Sequence, residues 1–209
     1  MLITGRESSR ILATVGVPRQ QSRRVLVAGL AGPAVRTGGA LLYDEARVRG
    51  LATWSAVDHA ELLAACPGGV LVVRLGPGDE PQEGWPWTER ARAFRIQPYL
   101  GFAAWLQVRA HLQAQARLAC VVTVCGYPVL LADLVSFASQ TGDEVDQVEL
   151  GLEPPGDWSR LLQGHRLVTS PGPRWLLLGG QPYLGRAARA RERGEPVNAG
   201  RSTTWTRWA

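Results

Sequence analysis

A cluster of arginine and glutamine residues lies near the beginning of the chain. Arg19, Gln20 and Gln21 are followed closely by Arg23 and Arg24. The guanidinium group arranges its donors as a fork that matches guanine edges and phosphate oxygens, and glutamine can form two hydrogen bonds with adenine. These residue types at this spacing predict an interaction with nucleic acid.

Two short helices with a tight turn between them are predicted to position this cluster. Thr4 and Glu7 have the spacing of a capping box, which marks the start of a first helix, and Gly16 ends that helix. Pro18 is well placed in the first turn of a second helix, which carries the cluster. Gly29 is a suitable residue for the end of the second helix.

A β-hairpin and a third helix are predicted to follow. Residues 33–36 and 41–43 flank the turn sequence Thr37-Gly38-Gly39-Ala40, which is typical of a hairpin. Asp44 is a suitable N-cap for a helix over 45–51. A glycine-rich hairpin at this place can lie along the backbone or the minor groove of DNA.

The first quarter of the chain resembles the winged helix-turn-helix of the MerR and excisionase type. The resemblance is carried by Gly16-Val17-Pro18-Arg19-Gln20, Arg23-Arg24-Val25-Leu26-Val27-Ala28-Gly29-Leu30, Ala34-Val35-Arg36-Thr37-Gly38-Gly39 and Tyr43-Asp44-Glu45-Ala46-Arg47-Val48-Arg49-Gly50-Leu51. It implies that the second helix enters the major groove and that the hairpin, as the wing, contacts the DNA backbone.

The chain departs from the family pattern in three places. Residues 13–15 look like an insertion before the turn, which would lengthen the first helix or loosen the turn. Ser22 occupies a usually apolar position, so we expect weaker packing of the second helix. Leu41 and Leu42 stand where the family often has a basic residue, which removes one phosphate contact and favours protein contact by the wing.

Eight residues are the candidates for contact with duplex DNA. They are Arg19, Gln20, Gln21, Arg23 and Arg24 in the second helix, and Arg36, Thr37 and Gly38 in the wing.

Positive charge is concentrated at the two ends of the chain. The 209 residues carry a net charge of +5, and all 23 basic residues are arginine. Residues 1–52 hold 8 arginines and 3 acids, residues 53–185 hold 9 and 13, and residues 186–209 hold 6 and 2. A basic beginning and a basic end around an acidic middle favour nucleic-acid contact at the ends.

We predict an α+β protein with three segments. Residues 1–53 form the winged helix-turn-helix, residues 54–185 form a mixed α+β domain with a small sheet, and residues 186–209 form a basic Arg/Trp tail. In the middle segment we expect helices over 57–66 and 102–116 and strands over 70–75, 118–125, 145–152, 165–169 and 174–178. Residues 128–139 fit a helix or a strand. The tail either adds phosphate contacts or docks on protein through Trp205 and Trp208.

The sequence contains no recognisable constellation for catalysis. His59, His111 and His165 are 52 and 54 residues apart, so no close pair is present to chelate a metal. Cys120 and Cys125 lie in a predicted apolar strand, without the spacing of a redox or zinc motif. We therefore expect no enzymatic activity, no cofactor and no metal. The three cysteines, an odd number, together with the lack of a signal peptide or membrane-spanning run predict a cytoplasmic protein.

The expected function is sequence-specific binding of double-stranded DNA, as a bacterial transcriptional regulator whose middle domain senses a ligand or mediates assembly. One alternative is an architectural or recombination-accessory protein of the excisionase kind, which coats or bends DNA. Another is a winged helix used for protein contacts through Leu41 and Leu42. A homodimer and a small-molecule or protein ligand stay open as partners, and no membrane partner is expected.

Overall fold

The computed structural model describes residues 1–76, 102–140, 147–172 and 174–179. Residues 1–53, called the N-terminal unit below, contain the predicted helices and hairpin in the predicted order. Its elements are β1 (Leu2–Thr4), α1 (Gly5–Ala13), α2 (Arg19–Val27), β2 (Val35–Thr37), β3 (Ala40–Asp44) and α3 (Glu45–Ala52). The predicted tail over 186–209 lies outside the described residues, as do parts of the middle segment.

Helix α1 begins with the predicted capping box. The backbone N–H of Glu7 donates to Thr4 Oγ1 (3.3 Å), and the backbone N–H of Thr4 donates to Glu7 Oε2 (2.9 Å). The hydrogen bond from the Thr4 backbone holds the pKa of the Glu7 carboxyl below its usual value. Two amides that a helix N-terminus otherwise leaves unsatisfied thus find acceptors, which fixes where α1 starts.

The turn between α1 and α2 accommodates both predicted departures in this region. Ala13 is the last residue of α1, and the other two extra residues, Thr14 and Val15, lie in the turn, where Gly16 has a positive φ of 75° that glycine adopts without strain. Ser22 is fully buried, but its hydroxyl donates to the carbonyls of Val17 (3.2 Å) and Pro18 (3.1 Å). The buried polar group is therefore satisfied within the first turn of α2.

The hairpin turns sharply at two glycines. Gly38 and Gly39 have φ values of +54° and +82°, the left-handed pair that a two-residue type I′ turn requires. Strand β3 pairs antiparallel with both β2 and β1, giving a sheet of order β1-β3-β2. Strand β1 was not predicted, because three residues are too few to show an alternating pattern.

The remaining described residues, called the body below, form a mixed sheet with helices. Its elements are β4 (Ser55–Ala56), α4 (His59–Ala65), β5 (Val70–Arg74), α5 (Phe102–Gln115), β6 (Leu118–Val124), β7 (Tyr127–Gln140), β8 (Gln147–Glu153), a 3-10 helix (Asp157–Leu162), β9 (His165–Arg166) and β10 (Trp175–Leu178). The five-stranded sheet has the order β10-β5-β6-β7-β8, with β5 and β6 parallel and the other pairs antiparallel. The mixed α+β class is confirmed.

Both faces of the central strands are buried. Leu71 and Val73 of β5 pack on the same side as Val108 of α5, whereas Val70 and Val72 pack on the side of α4. Burial on both faces explains why β5 and β6 are almost continuous apolar runs, without the alternation of a half-exposed strand. The sheet is therefore covered by a helix on each face.

The structure decides one open alternative and corrects two predictions about strands. Residues 128–139, which fitted either class, belong to the long strand β7. The strand expected over 165–169 spans only His165–Arg166, where it pairs in parallel with β4. Cys125 lies in the β6–β7 turn with a φ of +52°, outside the strand in which it was predicted.

Membrane crossing finds no support in the described helices, since none is both long and apolar enough to span a bilayer.

Partly and fully buried contacts join the N-terminal unit to the body. Arg166 of β9 donates through Nη2 to the carbonyl of Val15 (2.7 Å) and through Nε to that of Trp54 (3.1 Å). Its guanidinium lies 5.6 Å from the centre of the Tyr127 ring, and the Tyr127 hydroxyl donates to the carbonyl of Leu51 (3.2 Å). We call this group the junction. It lies at the boundary predicted near residue 53, so packed contacts bridge the two segments there.

Removing the Tyr127 hydroxyl is expected to weaken the junction. Tyr127→Phe deletes a buried hydrogen bond, so we predict that the free energy of unfolding falls by about 1 kcal/mol in urea denaturation. Tyr43→Phe is the control, because Tyr43 is also buried (4% exposed, against 0% for Tyr127) but has no side-chain hydrogen bond to a described residue. Equal losses in the two variants would contradict the role of the Tyr127–Leu51 bond.

Candidate nucleic-acid interface

Helix α2 presents a polar edge to solvent and an apolar edge to the N-terminal unit. Val25 and Leu26 are buried together with Ser22, and they hold the helix against α1 and α3. Four of the predicted site residues are exposed along the outer side: Arg19, Gln20, Gln21 and Arg23. The structure thus leaves the N-terminal half of α2 accessible.

The support beneath this edge is tightly packed. Leu12 of α1, Val25 of α2 and Val48 of α3 each have 0% of their surface exposed. Because packed interiors deform little, this packing fixes the position of the α2 backbone that carries the exposed side chains.

The β2–β3 hairpin carries a further arginine, Arg36, on the face directed toward the helices. In the hairpin Arg36 lies directly opposite Leu41, and Leu41 shares a strand face with Tyr43 two positions later. Tyr43 is buried in the same core as Val25 and Leu26 of α2. The hairpin face that carries Arg36 is therefore the face directed toward the helices.

The other two wing residues are placed differently. Thr37 lies opposite Ala40, on the hairpin face that does not carry Arg36. Gly38 lies at the exposed tip, where a Cβ atom added to it would meet no other atom within 4 Å. The tip is therefore accessible through its backbone, whereas the Thr37 side chain is directed away from α2.

The acidic residues of the N-terminal unit have local structural partners. Glu7 completes the capping box of α1, and Asp44 accepts from the backbone N–H of Arg47 (2.9 Å) as N-cap of α3. Glu45 pairs with Arg49 at 2.7 Å. Within the described residues, none of these carboxylates pairs with the exposed arginines of α2 or β2, so their positive charge is not neutralised.

Arg24 has a different environment from the other arginine and glutamine residues of α2. It is half-buried, and its Nη2 donates to the carbonyl of Leu75 at the end of β5. Ala28, in the next turn, is buried in the core of the body sheet. Arg24 therefore attaches α2 to the body. The sequence alone could not show that Arg24 and the adjacent Arg23 have different roles.

A groove of about 450 Å³ lies in the body beside the junction. Trp54, Pro128 and Pro155 contribute to its walls, and Ser159 and Gln163 contribute polar groups. None of its lining residues is charged. The groove is therefore unsuited to phosphate, in contrast to the arginine-bearing edge of α2.

The described residues contain no group of three or more histidine, cysteine or carboxylate side chains that could hold a metal ion. Burial raises the pKa of Cys66 to about 11 and that of Cys120 to about 12, so both thiols are neutral at physiological pH. These two thiols are therefore inert as nucleophiles.

Comparison with protein-family models, with curated proteins and with solved structures finds no match for this chain.

Arg23 and Arg24 are expected to differ in their effect on stability. Arg24→Ala removes the charged donor to the Leu75 carbonyl, so we predict a loss of about 1–2 kcal/mol in the free energy of unfolding. Arg23→Ala alters an exposed side chain and should change it by less than about 0.5 kcal/mol. Urea denaturation of both variants measures the difference, and a larger loss for Arg23→Ala would contradict the assignment.

Proposed function

We propose that this chain binds double-stranded DNA and that its N-terminal unit is a winged helix-turn-helix. One observation carries the proposal: Arg19 and Arg23 are exposed on α2, Arg36 is exposed on the hairpin face directed toward the helices, and no described carboxylate pairs with these arginines. A helix beside a hairpin, both bearing unpaired guanidinium groups, suits a major groove and its flanking phosphates.

The exposed edge of α2 includes the N-terminal residues that helix-turn-helix proteins use for reading bases. In such proteins the N-terminal residues of the second helix contact base edges. Arg19 and Arg23 suit guanine edges or phosphates, and Gln20 suits adenine, with Gln21 further round the helix. Arg36 and the backbone at Gly38 would contact DNA phosphates from the wing. Arg24 and Thr37 contribute less directly, because one is bound to the body and the other lies on the far hairpin face.

As a transcriptional regulator in the bacterial cytoplasm, the chain would use its body for assembly or sensing. A single module of this kind buries about 600–1,000 Å² of protein surface, so useful specificity normally requires two copies on neighbouring sites. The body is the part of the chain available to bring two copies together. Because the junction attaches the body to the turn between α1 and α2, a partner or ligand of the body would act directly on the DNA-binding unit.

Selection from a pool of random-sequence duplexes tests the proposal. The purified protein is incubated with the pool at low and at near-physiological salt, and the recovered fragments are sequenced. A sequence motif that survives the higher salt is the expected result. Motif-free binding that disappears with salt would favour the architectural alternative, because counterion release dominates non-specific binding. Absence of binding at both salt concentrations would contradict DNA binding.

The salt dependence of binding is expected to identify Arg23 as a DNA contact. If Arg23 neutralises a phosphate, Arg23→Ala reduces the slope of log K against log salt concentration by about 0.9. The control is Arg160→Ala, which removes an arginine with 76% side-chain exposure from the 3-10 helix of the body. Fluorescence anisotropy with a labelled duplex measures both slopes, and equal reductions would contradict the assigned interface.

A second candidate function is contact with a protein through the wing. Exposed apolar side chains on the β1-β3-β2 sheet favour it. Leu2 (47% exposed) and Val35 (46% exposed) lie on the outer face of the sheet, and Val35 is directly opposite Leu42. Leu41 is 40% exposed on the other face. Absence of duplex binding in the selection would make this the working hypothesis.

A further inference from the structure

We propose that Val27 determines part of the base preference by contacting the methyl group of a thymine in the major groove. This inference rests on the proposed DNA binding and adds a residue that the arginine and glutamine pattern did not include.

Val27 is an apolar side chain on the polar edge of α2. It is the last residue of the helix and 63% exposed, although its neighbour Leu26 is only 4% exposed. It follows Arg23 by four positions and Gln20 by seven, so the three side chains lie along one face of the helix. A duplex that contacts Gln20 and Arg23 along this face would also approach Val27.

The turn that carries Val27 is held on the opposite side. Arg24 donates to the carbonyl of Leu75, and Ala28 is buried in the core of the body sheet. These two attachments fix the rotation of the last turn of α2. Val27 therefore points to solvent from the exposed edge of α2 and cannot turn into the core of the N-terminal unit.

The chemistry of Val27 selects one feature of the major groove. Its side chain has no hydrogen-bond donor or acceptor, so it cannot read the amide, amino or carbonyl groups of base edges. The C5 methyl of thymine is the apolar group exposed in the major groove, and side-chain methyl groups recognise it by contact. Burying one such group contributes roughly fourfold to affinity.

Replacement of thymine by uracil tests the contact directly, because it removes the C5 methyl and leaves every hydrogen-bonding group in place. The probe is the duplex recovered by selection with the wild-type protein, in which single thymines are replaced by deoxyuridine one at a time. We expect one replacement in each half-site to weaken wild-type binding by about fourfold. Val27→Ala should bind the thymine and uracil duplexes with equal affinity.

Val168→Ala is the matched control, since Val168 is 49% exposed in the body. It should keep the wild-type preference for thymine. Alanine favours helix formation more than valine, so Val27→Ala is expected to fold. If wild type and Val27→Ala show the same thymine-to-uracil ratio at every position while both bind the duplex, this inference is overturned and DNA binding stands. If selection with the wild-type protein recovers no duplex, both the proposed DNA binding and the proposed Val27 contact fail.

Discussion

The guanidinium of Arg166 lies just beyond the carboxyl ends of two helices, and the arrangement of the N-terminal unit on the body depends on it. Its acceptors are the carbonyls of Val15, two residues after α1, and Trp54, two residues after α3. The carboxyl end of a helix carries partial negative charge, so one partly buried guanidinium beside both ends can stabilise both. The Tyr127 ring lies beside the same guanidinium, and the Tyr127 hydroxyl donates a hydrogen bond to the carbonyl of Leu51.

This attachment determines which surface of the N-terminal unit is available. With the ends of α1 and α3 held by Arg166, and the last turns of α2 held through Arg24 and Ala28, the opposite edge of α2 faces solvent. The acids of the unit are used for capping and for a local ion pair, so the exposed edge keeps its positive charge. The proposed DNA interface is therefore a consequence of packing elsewhere in the chain.

Local signals predicted most of the N-terminal unit. The Thr4–Glu7 capping box, the Asp44 cap and the Gly38-Gly39 turn act within a few residues, so the sequence pattern contains them. The environments of Arg24 and Arg166 were not predictable, because their partners lie 51 and up to 151 residues away along the chain. The exposure of Val27 was not predictable for the same reason, because it depends on contacts of Arg24 and Ala28 with distant residues of the body.

The body illustrates the limit of pattern-based prediction in another way. Apolar runs identified β5 and β6 as strands. Because both faces of these strands are buried, their sequences do not show which residues pack on α4 and which on α5. Short pairs such as β4 with β9 form only because distant segments meet. Composition and motifs accordingly predicted the α+β class and the charged edge, whereas the contacts that orient that edge required the three-dimensional structure.

Chemical modification of arginine by phenylglyoxal tests the proposed interface most directly, because the chain has 23 arginines and no lysine. Mass spectrometry measures the modification of each arginine with and without excess duplex. We predict that duplex DNA slows the modification of Arg19, Arg23 and Arg36. Arg160, which is 76% exposed in the body, should react at the same rate in both samples. Unchanged reaction rates at Arg19, Arg23 and Arg36 in the presence of duplex would contradict DNA binding through this edge of α2.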